Sequence, residues 1–264
     1  MTDNKLKASL RIFGNSFLLQ TKENRLSQYF IATMLIQPVI FTLLSVGTYL
    51  YGKKPDFGLF AVTGSGLVGI FNNILWTSGE IISRERRYET LSLIMATPTS
   101  LFLILLGRSF ANALISIFAM GMTFLTGVVA FKIPLGINNP LVFIAGLLLV
   151  VLALTCLGLV FGSLFVLSRN AGEFIEASNF PVYILSGLSI PLTLLPLWTR
   201  PFSAILAPTW GNDLLNNAAK VIHGNFLPDF LWMIGLTIIY FVIGWILYKR
   251  VEVLAFKAGT LETW

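Results

Sequence analysis

The chain has 264 residues, of which 56% are hydrophobic and only 11% charged, with a formal net charge of +6 and a mean hydropathy of +0.81. Ordinary soluble domains hold about 45–50% apolar and about 25% charged residues, so the composition excludes a water-soluble globule, a disordered tail and a nucleic-acid binder. One His and one Cys exclude a disulfide framework and leave no His/Cys cluster for a metal.

A helix needs about 20 apolar residues to cross the roughly 30 Å hydrocarbon layer, and charges are costly there, so uncharged gaps outline the spans. Residues 1–25 precede the first gap. In them Leu6, Leu10, Phe13 and Phe17 recur at helical spacing among Lys5, Lys7 and Arg11. That pattern predicts an amphipathic helix on the membrane surface; a signal peptide would need a continuous apolar core. The gap from Arg25 to Lys53 predicts a span at 28–50, and that from Asp56 to Glu80 a second at 57–78. Three further gaps predict spans at 100–130, 140–167 and 175–195, and the gap from Asp229 to Lys249 a sixth at 229–248. The expected fold is an all-α integral membrane domain over 1–264.

An even span number puts both termini on one side. That side then holds Lys5, Lys7, Arg11, Lys22, Arg25, Arg84, Arg86, Arg87, Arg169, Lys249, Arg250 and Lys257. The other side holds only Lys53, Lys54, Lys132, Arg200 and Lys220. The excess places both termini in the cytoplasm. Arg108 falls two turns into the third span and is read as an anchor whose stem snorkels back to the headgroups, ahead of a substrate contact. Asn72, Asn73, Thr77 and Asn112 also sit within spans. They cost free energy against lipid, so they are expected to face protein or a pathway.

Several near-motifs carry no chemistry. Gly47 to Lys54 approaches a phosphate-binding loop, but Lys54 stands where Ser or Thr should reach magnesium, and no strand precedes it. Nothing else in the chain could bind a nucleotide, so any ATP work falls to a partner. His223 reads as an interfacial polar residue and Cys156 as a small apolar group. No Ser/His pair or carboxylate pair is placed for hydrolysis. Gly158 and Gly162 have the spacing that lets helices approach closely, within the chain or between subunits.

The stretch from Gly79 to Pro98 is the most informative. Ile81, Ile82, Glu85, Tyr88 and Leu91 recur near helical spacing among Arg84, Arg86 and Arg87, and Pro98 ends the run. Residues 80–96 are expected to form a surface helix joined to two spans. Physically it is either a lever for a partner or a solvated basic loop. It resembles the coupling helix of type-2 ABC transporter permeases, a bacterial export family, in Thr90, Leu91, Thr97 and Pro98 after the charged run Arg84, Glu85, Arg86. Glu89 replaces the family's usual Gly, and Ser92 its usual Glu. A second resemblance runs through Pro181, Leu185-Ser186-Gly187, Pro191, Leu195-Pro196-Leu197-Trp198 and Ala207-Pro208-Thr209-Trp210. Residues 202–222 are too short and too polar to span, and fit helical pieces dipping into the outer leaflet.

The resemblance implies a permease subunit of an ATP-driven exporter in the bacterial plasma membrane. It would work with two cytoplasmic ATPase subunits that supply ATP and Mg, and with a second permease chain as homodimer or heterodimer. No cofactor, metal or nucleic acid is expected in this chain. The expected ATPase contacts are Arg84, Glu85, Arg86, Tyr88, Glu89 and Leu91, with Arg169, Glu173 and Glu176 as a second cytoplasmic contact. Asn72, Asn73, Gly187, Pro191 and Trp198 are the candidate pathway or outer gate. The expected cargo is a hydrophobic small molecule, drug, antibiotic or peptide, with a lipid-linked polysaccharide or teichoic-acid-like polymer as the alternative. A membrane-embedded lipid enzyme or a sensor subunit would be the contrasting readings.

Overall fold

The computed structural model describes residues 2–26, 28–52, 58–89, 101–133, 136–165, 171–220 and 224–258. Within them the chain forms helices and no strand: α1 (Thr2–Leu26), α2 (Gln28–Tyr51), α3 (Gly58–Arg87), α4 (Leu101–Phe131), α5 (Pro140–Phe165), α6 (Ala171–Leu185), α7 (Arg200–Ile205), α8 (Ala207–Lys220) and α9 (Leu227–Ala258). Five of them, α2, α3, α4, α5 and α9, are long and apolar enough to cross a membrane.

The bundle is built around α3, which touches α2, α4, α5, α6 and α8. Every residue from Ala61 to Phe71 is buried, whereas α2, α4 and α9 keep wide exposed apolar faces. Leu67, Ile70, Phe71, Ile74 and Leu75 fill the centre. Between helices in lipid their gain comes from close packing rather than from leaving water. Phe71 also meets the Tyr183 ring of α6 edge-on, with centroids 5.9 Å apart. Leu159 and Val160 of α5 lie against Gly244 of α9, and Gly158 and Gly162 are buried.

Three predicted boundaries move. The second span was expected to stop at 78, followed by a separate helix over 80–96. Instead α3 runs unbroken to Arg87, because Glu80 to Arg87 contain no glycine or proline. At 30 residues α3 is about 45 Å long. It ends in a turn at Tyr88 and Glu89, the latter with φ 56°. Residues 90–100, including Leu91, Thr97 and Pro98, lie outside the described residues.

The fifth predicted span, 175–195, is instead a 15-residue helix ending at Leu185. At about 22 Å it is shorter than the hydrocarbon layer. Gly187, at φ 74°, ends it: the Gly187 N–H donates to the Ile184 carbonyl at 3.1 Å, the closure that glycine allows at helix C-termini. Prolines then cut the chain into short pieces. Pro191 and Pro196 precede 3-10 turns at Leu192–Leu194 and Leu197–Thr199, and Pro201 opens α7. The sixth helix extends ten residues past its predicted end at 248.

Between residues 200 and 220 the chain forms the short helices α7 and α8. The α4–α5 connection caps α8: the backbone N–H groups of Asn138 and Asn139 donate to Ala219 and Ala218, and Asn138 Nδ2 donates to Lys220 O.

The N-terminal helix packs along α4 through a partly polar face, with Lys7, Arg11, Lys22 and Arg25 exposed. Ser16, Gln20 and Asn24, spaced at i, i+4, i+8, are buried, while Leu10, Leu18 and Leu19 are exposed. Phe13 and Phe17, expected on a lipid-facing stripe with Leu10, instead lean on Phe110 of α4.

Candidate functional site

Two polar clusters lie near opposite ends of α3. The first centres on Arg108 of α4, which is 4% exposed. It does not snorkel outward as expected. Its Nη1 donates to Glu85 Oε1 at 2.5 Å, and its Nη2 lies 3.6 Å from Glu23 Oε1 of α1. A carboxylate within reach offsets the desolvation of the guanidinium, so the side chain turns into the protein. One turn along α4, Asn112 Oδ1 accepts from Asn24 Nδ2 at 2.6 Å, and Asn24 accepts from Gln20 at 2.9 Å. A further turn along, Ser116 accepts from Asn73 Nδ2 of α3 at 2.6 Å. Arg108, Asn112 and Ser116 thus form one i, i+4, i+8 face that binds α1 and α3 together.

The second cluster lies beside the Gly187 turn. Asn216 Nδ2 donates to Thr63 Oγ1 at 2.8 Å, Thr63 Oγ1 donates to Asn212 Oδ1 at 3.3 Å, and Asn212 Nδ2 donates to the Gly187 carbonyl at 3.4 Å. Between the two clusters Asn179 of α6 donates to Asn72 of α3 at 3.1 Å. Near the Gly187 turn, Tyr49 of α2 donates to the Ser189 carbonyl at 3.0 Å. It helps line a groove of about 390 Å³ with Phe41, Leu44, Ile190, Pro191 and Leu194. Burial raises the Asp213 carboxyl of α8 to about 6, and the negative charge of Asp229 adds to the shift.

Both clusters are built from amide, hydroxyl and ion-pair contacts between helices. Together they join a surface-exposed end of α3 to a broken helix near the other end, which suits mechanical work. A family model described as ABC-2 type transporter matches residues 20–219. The chain belongs to the ABC-2 type transporter family. It is therefore a membrane permease subunit of an ABC transporter, a transporter subunit rather than an enzyme, and the family implies an ATPase partner. No match is found among curated proteins.

In this permease the expected ATPase contacts separate by exposure. Tyr88 is 70% exposed and Glu89 is exposed, while Glu85 is buried against Arg108. Arg84 and Arg86 fall in the last turns of α3, and Leu91 lies outside the described residues. Glu173 and Glu176 are exposed on the first turns of α6; Arg169 lies outside the described residues. Asn73 is spent on the α3–α4 contact, whereas Asn72 is half-buried on the α6 side. Gly187 and Pro191 belong to one turn, and Trp198 is exposed beyond it. Gly47 to Tyr51 is helical, which removes the phosphate-loop reading; His223 lies outside the described residues.

Sequence reasoning missed the Glu23–Arg108–Glu85 group and the Thr63–Asn212–Asn216 group. Both had a signal. A charge inside a span needs a partner, and two asparagines at i, i+4 on a short helix share a face.

Proposed function

We propose that this permease belongs to an exporter whose ATPase subunits press on the exposed Tyr88–Glu89 turn from the cytoplasm, and that it works beside a second permease chain. The observation that carries this reading is the unbroken course of α3 from Gly58 to Arg87 into that turn. A helix without a hinge transmits displacement along its axis. Glu85, braced on Arg108 and through it on α1, spreads the push to three helices at once.

Cargo then leaves at the opposite end. The groove between α2 and the Gly187–Leu194 segment is mostly apolar, with Ser45, Thr48, Tyr49 and Ser189 as its polar residues. That lining suits a hydrophobic small molecule or peptide. Gly187, Pro191 and Trp198 are its gate residues in this reading, with the Asn72–Asn179 contact joining α3 to α6 between the two clusters.

The test is to co-express the permease with its ATPase subunit and compare Tyr88→Ala and Glu89→Ala with the wild type. Both variants should insert normally. Copurification of the ATPase, or its stimulation by the permease, should fall about tenfold, the size of a lost interface anchor. Wild-type stimulation in both variants would remove the coupling role.

A further inference from the structure

Three segments far apart in sequence meet through Asn212 and Asn216 of α8. From α3 comes the Thr63 hydroxyl, which faces both amides and also lies 3.1 Å from the Leu59 and Phe60 carbonyls of its own helix; from the break after α6 comes the Gly187 carbonyl, which accepts from Asn212. Thr63, Gly187, Asn212 and Asn216 are buried. The two hydrogens of Asn216 Nδ2 are shared among Thr63 Oγ1 and, on Asn212, the backbone carbonyl at 2.8 Å and Oδ1 at 3.0 Å, so the two amides form one unit. The backbone closes in at the same place. A β-carbon on Gly64 would overlap the carbonyl oxygen of Leu188, so α3 and the Gly187 turn touch without an intervening side chain.

Packing alone would not call for these amides. Helices in a bilayer associate through close contact, and a leucine at 212 or 216 would carry no polar desolvation cost. A hydrogen-bonded cluster adds fixed registration between the three segments. Registration matters here because α6 ends at Leu185 and the chain to Ala207 consists of short turns and a six-residue helix. Unfastened, that stretch would follow α6.

We infer that Thr63, Asn212 and Asn216 are positioning residues that fasten the Gly187 turn and α8 to α3, so that the three move as one body when α3 is displaced. The inference rests on the reading that the Tyr88 end of α3 takes the thrust, and it adds which residues carry the displacement to the gate.

Hydrogen exchange followed by mass spectrometry on the permease in lipid nanodiscs tests the fastening. Thr63→Val keeps the side chain's shape and removes the hydroxyl; Thr63→Ser keeps the hydroxyl. In Thr63→Val, exchange at 186–192 and 207–216 should speed up about tenfold, the scale of one buried hydrogen-bond group lost, with α4 and α5 unchanged. Thr63→Ser should match the wild type. Equal exchange in the two variants, or a uniform rise across the chain, would overturn the fastening.

The same measurement on the permease–ATPase complex, with and without ATP, tests the common motion. In the wild type, segments 58–66, 186–192 and 207–216 should respond together; in Thr63→Val only 58–66 should respond. A response at 186–192 that survives Thr63→Val would sink the inference. Failure of the thrust reading shows separately, as an ATP response that Tyr88→Ala leaves unchanged, while the exchange of the isolated permease still decides whether the turn is fastened.

Discussion

Replacing Arg108 with Met keeps an unbranched apolar stem and removes the guanidinium and its charge. What remains is Glu85, 8% exposed, with its closest cation gone. Removing one partner of a buried ion pair costs about 3–5 kcal/mol, because the remaining charge stays desolvated. Glu23 contributes much less: its side chain is 34% exposed and stands 3.6 Å away, and such screened pairs are worth about 0–1 kcal/mol. The order of cost should therefore be Arg108→Met and Glu85→Gln both large, and Glu23→Gln small. The double variant Arg108→Met with Glu85→Gln should recover about 2 kcal/mol or more relative to the sum of the singles, since neither charge is then stranded. Unfolding of the purified permease in mixed micelles titrated with SDS gives all four stabilities. A cost under about 1 kcal/mol for Arg108→Met, or a coupling energy indistinguishable from zero, would refute the pairing as an energetic bond between α3 and α4.

Other expectations follow from single positions. Gly187→Ala places a β-carbon at φ 74° and 2.8 Å from the Leu192 side chain; a cost of about 1–3 kcal/mol should appear as a lowered melting temperature, and unchanged melting would show that the turn relaxes freely. Gly107→Val would press a side chain against the Phe13 carbonyl, 2.7 Å from the β-carbon position, and should lift α1 off α4, read as faster proteolysis within residues 7–25. Asp213 titrates near 6 in the folded chain because burial, and then Asp229, disfavour its charge. Its protonated form favours the fold, so stability should fall as pH rises from about 4 to about 6 and level off above. The carboxyl keeps an exposed edge, so the direction alone is expected. Asp213→Asn should flatten that slope in melts taken across the range.

Charge spacing made most of the architecture legible. Spans one, three and four lie within a few residues of α2, α4 and α5, because an uncharged run flanked by Lys or Arg has few other ways to satisfy its backbone in lipid. Hydropathy could not mark the end of α3, since helical propensity carries the chain through Glu80 to Arg87 regardless of polarity. Nor could it find the early end of α6. The segment after Leu185 is as apolar as a span, and its break is set by one positive φ at Gly187 and the prolines that follow. The inner cluster stayed hidden for a different reason. Glu23, Glu85 and Arg108 stand far apart in sequence, and only the packing of α1 and α3 against α4 brings them together.

The buried Ser16, Gln20 and Asn24 of α1 bear on how this chain is assembled. The partner that this edge meets, Asn112, stands on α4, so α1 can bury its hydrophilic side only against that helix. A substitution in α4 that removes the amide at 112 would leave the edge of α1 with a desolvated group to satisfy elsewhere.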